Sequence, residues 1–395
     1  MRYKKLHNSK GKKMVMGLII RIYNVGFGDA SLLTWNEDSG ETKNILIDFG
    51  NAPSLKDEPY YTQTLNDIRR ITDEKIDLLI CTHQHLDHYG GFYSKIKEFK
   101  KFEIKMLFMP YIKPASMKKI RKVRELVHGL VNSKLATEIF SDHFITKDES
   151  TSENPDEIDK KWQAITNLVK PTNAYFLHRE SKEIPRLIRQ LGFKKLKIEI
   201  LGPEPNTEIY LSSAEDWIKN LISFFYNSSD VDPNAKGLSL DSISAMKTLS
   251  FIEVLEKSKP ELVREFIRKN GNISEYADKV INNTSLVLKF NYKIGNKNKF
   301  LLFPGDAEFE SWQQIFEACK KGQHSISAHF LKVSHHGSHN GTSNIIAKKI
   351  FQPDSKNGNI AVISTLSGIY GKENEVPSKE VMEILKRYAK VYSRD

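Results

Sequence analysis

The chain has 395 residues, 39% hydrophobic and 28% charged, a balance that suits a soluble, core-forming protein and excludes a disordered polyelectrolyte. No apolar run approaches the ~18 residues of a membrane span, and the two cysteines, Cys81 and Cys319, make neither a disulfide framework nor a cysteine metal site, so a cytoplasmic setting is expected. The net charge of +11 favours a polyanionic partner such as nucleic acid, with an ordinary lysine-rich surface as the plain alternative.

Residues 1–16 form a basic extension. Met14 to Tyr23 is apolar after that basic lead, as a signal sequence would be. It carries Arg21 and lacks a small-residue cleavage site, so it reads as a first strand, Gly17 to Tyr23. The turn Asn24-Val25-Gly26-Phe27-Gly28-Asp29-Ala30 follows, where two glycines permit a close backbone approach. Ser31 to Trp35 and Asn44 to Ile47 are the next strands, the latter ending in Asp48-Phe49-Gly50. A carboxylate at the end of an apolar strand suits a residue that orients a metal-bound imidazole; a simple turn residue is the other reading. Thr64 to Ile71 is helical and Ile76 to Cys81 a buried strand.

That strand opens into Thr82-His83-Gln84-His85-Leu86-Asp87-His88-Tyr89-Gly90-Gly91. Four potential metal ligands fall within six residues. Imidazoles one residue apart converge on one cation, and the Asp-His pair behind them reaches a second; imidazole and carboxylate together suit zinc or a similar ion. A polar loop that happens to be rich in histidine is the alternative. Phe92 to Phe102 then reads as a lysine-rich helix and Met106 to Met109 as a short strand.

Residues 111–280 are expected to form a large, mainly helical insertion. Amphipathic stretches run at Ala115 to Ser133, Asp156 to Val169, Lys182 to Leu191 and Ala214 to Phe225, with short helices from Ser242 to Asn282, one strand-like piece at Leu196 to Leu201, and loops at Thr146 to Asp159 and Asn227 to Gly237. Lys118, Arg121 and Lys122 share a helix face and are candidates for phosphate contacts; a solvated face is the commoner explanation. Lys194-Lys195-Leu196-Lys197 is a second basic run.

Strand patterning resumes at Ser285 to Phe290 and Phe300 to Phe303, the second ending in Pro304-Gly305-Asp306-Ala307. A carboxylate there is well set to bridge two cations. A helix over Glu308 to Lys320 leads to the strand Phe330 to Val333 and to Ser334-His335-His336-Gly337-Ser338-His339. Adjacent histidines point in different directions, so one can ligate metal while the other meets substrate. Ile360 to Ser364 is the last strand and Ser378 to Ala389 a closing helix.

The ordered set Asn24-Val-Gly-Phe-Gly-Asp-Ala, Leu46-Ile-Asp48-Phe-Gly, Thr82-His-Gln-His-Leu-Asp-His, Asn283-Thr-Ser-Leu-Val-Leu, Leu302-Phe-Pro-Gly-Asp306-Ala-Glu and Lys332-Val-Ser-His-His-Gly-Ser338 resembles the metallo-β-lactamase superfamily. It is similar in particular to the hydrolase domain of ComEC-type competence proteins. The resemblance covers residues 17–110 and 281–395. It implies an α/β protein, a four-layer αββα sandwich, with two divalent ions at the edge between its sheets, Zn2+ first and Mn2+ second. His83 and His85 would hold the first ion, Asp87, His88 and His336 the second, and Asp306 would bridge them. Asp48 would be the buried supporting carboxylate with Asp29 nearby, and His335 would lie nearer the substrate. Asp87 or Asp306 would orient the attacking water, and His335 or Ser338 would stabilise the charge that develops on phosphorus.

Two departures stand out. Superfamily members usually supply a further His to the first ion before the bridging Asp; here that region reads Ile281-Asn282-Asn283-Thr284-Ser285. Water, Asn or a histidine of the insertion such as His178 would have to complete the site. Near the end, Val376-Pro377 stands where the branch often has His-Pro.

The expected activity is therefore metal-dependent phosphodiester hydrolysis on nucleic acid through a metal-activated hydroxide. A hydrolase of a small phosphoester or cyclic nucleotide, and a catalytically weak binding module, are the alternatives. The insertion is the expected surface for a protein partner or a second copy, and no membrane contact is expected.

Overall fold

The computed structural model describes residues 17–52, 60–131, 154–211, 261, 273–351, 358–366 and 375–393. The basic extension, the expected helix Ala214 to Phe225, the loop Asn227 to Gly237, the first part of the loop Thr146 to Asp159 and most of the Ser242 to Asn282 stretch lie outside them.

Among the described residues, a mixed α/β architecture is organised as two six-stranded sheets. The first runs in order through β1 (Ile19–Ile22), β2 (Ala30–Asn36), β3 (Thr42–Phe49), β4 (Lys75–Ile80), β5 (Glu103–Pro110) and β6 (Ala174–Leu177). The second contains β7 (Leu196–Gly202), β8 (Val287–Ile294), β9 (Lys297–Phe303), β10 (Phe330–Lys332), β11 (Ile360–Val362) and β12 (Lys390–Tyr392), again as sequential neighbours. In each sheet the first three strands pair antiparallel and the rest parallel. Parallel pairing requires crossovers, which the helices supply.

Alternation sorts the side chains. Leu33, Trp35, Ile45, Ile47, Leu78, Ile80 and Phe108 of the first sheet meet Leu196, Ile198, Ile200, Leu288, Phe290 and Phe303 of the second in one buried cluster. The opposite face of the first sheet, Leu32, Leu46, Leu79 and Leu107, packs against residues of α1 (Tyr60–Thr72), α2 (Leu86–Ser94) and α3 (Ile96–Phe99). The opposite face of the second, Val287, Leu302, Leu331 and Ala361, packs against α8 (Phe309–Lys320), α9 (Asn344–Ile350) and α10 (Lys379–Tyr388). Between these lie α4 (Pro114–Val131), α5 (Pro155–Thr166), α6 (Ile184–Gln190) and α7 (Ile273–Asn283).

The expected boundary of the insertion needs correction. β6 pairs with β5, Leu107 opposite Ala174, and β7 pairs with β8, Ile198 opposite Phe290. Residues placed in the insertion thus complete both sheets, because Leu196, Ile198 and Ile200 are the inward-facing positions of a strand with apolar neighbours on the facing sheet. The expected helix Phe92 to Phe102 also differs: it begins at Leu86, carrying Asp87 and His88 in its first turn, and is interrupted at Lys95.

Candidate metal centre

The functional side chains collect where parallel strands end, the usual location of sites in α/β sheets. β3 delivers Asp48, β4 leads into Thr82 to His85, β9 into Asp306 and β10 into His335 and His336. Three of these residues take left-handed backbone conformations that side chains rarely adopt: Asp48 (φ 57°), His335 (φ 47°) and His336 (φ 51°). Such strain persists only where surrounding contacts over-determine it. The glycines permit the convergence: a methyl group on Gly50 would lie 2.2 Å from the Asp87 carbonyl carbon. The Asp29 N–H donates to the Asp87 carbonyl at 2.9 Å, tying the first turn to the start of α2.

Three of the buried imidazoles, His83, His88 and His336, are fixed from behind. Asp48 Oδ1 accepts from the Thr82 N–H at 2.8 Å and Oδ2 from the Thr82 hydroxyl at 2.7 Å. The same Oδ2 lies 2.9 Å from His88 Nδ1, which must therefore carry the proton. Thr82 Oγ1, its own hydrogen committed to Asp48, is 3.1 Å from His83 Nδ1 and accepts from it. His336 Nδ1 donates to the Ser364 carbonyl at 2.9 Å.

The opposite nitrogens then face inward, where their lone pairs would meet a bound cation. His336 Nε2 lies 2.8 Å from Asp87 Oδ2 and 3.5 Å from Asp306 Oδ2. His88 Nε2, buried and without a hydrogen-bond partner among the described residues, lies 3.2 Å from Asp306 Oδ2 and 3.7 Å from Asp87 Oδ2. One ligand atom from each of Asp87, His88, Asp306 and His336 falls within 4.8 Å of all the others. Beside them, His83 Nε2 faces His85 Nδ1 at 3.1 Å, close to the ~3.3 Å between two nitrogens bound tetrahedrally at about 2.0–2.1 Å. Lone pairs and carboxylates aimed at common points repel unless positive charge lies among them. The donor set fits a pair of divalent cations.

Electrostatics agree. Burial, with the neighbouring His88 adding to it, holds His83 well below the usual imidazole range, and burial takes His85 down to about 3. Both are neutral and ready to ligate. Burial would also lower His88, but Asp306, Asp87 and Asp48 outweigh it and raise it well above the normal value. Asp306 and Asp87 likewise overcome burial to raise His336. Despite their own burial, Asp87 and Asp306 are held low by His88 and His336. The cluster demands cationic neighbours.

His335 stands apart. Its side chain is 29% exposed, with Nδ1 2.8 Å from the Ser338 hydroxyl and 3.2 Å from Glu308 Oε1. Glu308 is buried, which pushes its carboxyl up, and accepts from Asn282 Nδ2 at 2.8 Å. Ser338 thus contacts His335 directly, and its hydroxyl also accepts from the Gly341 N–H at 3.3 Å.

Several expected positions lie elsewhere. Lys118 is exposed and Lys122 half-exposed on α4, while Arg121 between them is paired with Asp156, Asp159 and Glu125, so its charge is already matched. His178 packs on Tyr111, ring centres 5.3 Å apart, and accepts from the Glu180 N–H; it does not join the first pair of histidines. Asn283 spends its amide on the Lys279 carbonyl, Glu310 and the Ser311 N–H. Asp29, by contrast, is buried close to Asp48 as expected: a carboxylate oxygen of it lies within 4.8 Å of ligand atoms of Asp48 and His88, and it accepts from Lys332 Nζ at 2.7 Å. Thr365, near the second departure, donates to the Val376 carbonyl at 2.8 Å.

Sequence reading missed Thr82, Ser364, Asn282 and Glu308 as supporting groups. Glu308 follows Asp306 by two residues and was the one with a local signal; the others act through the backbone or as small polar residues without a pattern.

A family profile for the metallo-beta-lactamase superfamily matches residues 23–101, which hold β2 to β4 and the whole His-Gln-His-Leu-Asp-His run. Comparison with curated proteins and with solved structures gave no match. Members of this superfamily are mostly hydrolases that bind divalent metals, usually zinc, and the matched segment of this chain carries His83, His85, Asp87 and His88, four of the six metal-ligand candidates described above.

Proposed function

We propose that this chain is a metal-dependent phosphodiesterase or nuclease of the cytoplasm, built as the four-layer αββα sandwich of the ComEC-type branch. One observation carries the hydrolase reading: the buried imidazoles of His83, His88 and His336 are each back-bonded so that the opposite nitrogen faces another imidazole nitrogen or a carboxylate. His83 and His85 would hold one cation, and Asp87, His88 and His336 a second, with Asp306 between them. When bound, such cations supply Lewis acidity toward a phosphoryl oxygen and make water acidic enough to attack near neutral pH.

The chain's own residues then have separable tasks. Asp48, Thr82 and the Ser364 carbonyl keep the imidazoles in the ligating tautomer. The half-open His335, backed by Glu308 and Ser338, offers its ring to the charge that develops on the substrate. The net charge of +11 and the exposed Lys118 support nucleic acid as substrate. Neutralisation of Arg121 by three carboxylates favours a second reading, a small phosphoester that needs no extended basic track.

The test incubates zinc- and manganese-reconstituted protein, and its Asp87→Ala variant, with linear, circular and single-stranded DNA, RNA and a bis-aryl phosphodiester. Cleavage of nucleic acid by the wild type, reduced at least about 100-fold in the variant, is the expected result. Turnover of the small ester alone would leave the hydrolase and remove the nuclease. Silence on every substrate with metal bound would favour a binding module.

A further inference from the structure

The donor set of the first cation lacks the third histidine usual in this superfamily, and the region that would supply it ends α7 instead. That helix places Asp278 beside the site: its Oδ1 lies 3.3 Å from His85 Nε2, an ion-pair contact not aligned as a hydrogen bond here, with the two side chains 14% and 7% exposed. The direction of this approach is informative. His85 Nδ1 is the nitrogen that faces His83 Nε2 at 3.1 Å, and one imidazole cannot turn both nitrogens to one ion. Asp278 is therefore on the far side of the ring from the ligand pair. It meets the nitrogen that must carry the proton if Nδ1 is to ligate.

We infer that Asp278 is a positioning residue for the first cation: it accepts the Nε2 proton of His85 and so holds Nδ1 deprotonated and aimed at the ion. The inference rests on the metallohydrolase reading above. It gives His85 the kind of back-side acceptor that Thr82, Asp48 and Ser364 give the other three imidazoles. A carboxylate in this place also strengthens the ligand by raising its basicity, which matters most where the ligand count is low.

A second contact points the same way. Arg124 of α4 donates to the Gln84 side-chain oxygen at 3.1 Å and to the Gln84 carbonyl at 3.2 Å, holding the residue between the two ligands. α4 and α7 pack against each other. α4 and the part of α7 that carries Asp278 belong to the stretch that is foreign to the family resemblance, so this stretch forms part of the wall of the first cation site.

The experiment measures metal, not turnover alone. Wild type, Asp278→Ala and Asp278→Asn are stripped with chelator, titrated with Zn2+ and with Co2+, and followed by elemental analysis and by the Co2+ ligand-field spectrum. Asp278→Ala is expected to weaken one of the two bound ions about 10–100-fold and leave the other unchanged. Asp278→Asn, whose amide oxygen still accepts from Nε2–H, is expected to recover most of that loss and the wild-type spectrum. Equal affinities and an unchanged spectrum in Asp278→Ala would overturn the inference while leaving the hydrolase standing. Loss of both ions with the loss of the metal-free fold, judged by circular dichroism, would also overturn it. A wild type that binds no metal would instead sink the reading on which it rests.

Discussion

At the scale of single residues, Asp48 concentrates the logic of the centre. Its carboxylate collects the Thr82 N–H, the Thr82 hydroxyl and His88 Nδ1, all from a backbone with φ 57°. Asn tolerates that conformation and keeps one acceptor oxygen, whereas Ala does not. Asp48→Asn is thus expected to leave the fold intact and weaken metal binding about 10–100-fold, while Asp48→Ala should add about 1–3 kcal/mol of destabilisation from strain and unpaired donors. Calorimetric metal titration and a denaturant melt separate the two effects; an Asn variant with wild-type affinity would show that Asp48 serves the turn alone. The sequence made Asp48 visible because an acid at an apolar strand end is unusual. It concealed Asp278, whose relation to His85 exists only once α7 docks, and no local pattern distinguishes it from a solvated helix residue.

At the scale of elements, the strands that reach the site were legible from their apolar runs, whereas the helix expected from Phe92 starts at Leu86 and takes in the two glycines expected to form a turn, because they let it approach β3. A methyl group on Gly91 would lie 2.5 Å from the Phe49 ring. β6 and β7 were harder. With only four residues, two half-buried, one exposed and one buried, β6 has no alternation to read, and β7, although it alternates, joins a sheet whose other members come much later in the chain. If β7 is integral, Ile200→Ala, at 3% exposure in the inter-sheet core, should cost about 2–5 kcal/mol with metal stoichiometry unchanged. A near-neutral change in the denaturation midpoint would return residues 196–202 to a peripheral role. Lys118, Arg121 and Lys122 teach the converse: the shared face was legible, but the acids of α5 that neutralise Arg121 were not.

For the whole molecule, the two sheets share one connectivity and bring their parallel strand ends to one rim, so each half of the chain contributes a set of ligands: His83, His85, Asp87 and His88 from the first, Asp306 and His336 from the second. The centre is therefore also a bond between the halves, and its state of charge bears on global stability. In the metal-free protein His88 and His336 are raised above their ordinary value of 6.5, after burial's opposing effect, by Asp306 and Asp87. Above pH 6.5 the unfolded chain releases these protons while the folded chain keeps them. Stability must then fall as pH rises through the folded values, because the native state binds more protons. His83 and His85, held below 6.5, contribute nothing to this window. Bound divalent ions supply the positive charge without those protons, so the alkaline decline should disappear on metal loading, with proton release on binding. Melting midpoints from about pH 6.5 to about pH 9, with chelator and with Zn2+, measure both limbs. A metal-free midpoint that stays flat or climbs across this range, with zinc making no difference to its slope, would mean that the carboxylates and imidazoles are not sharing protons, and with that the reading of the cluster as a cation-demanding centre fails.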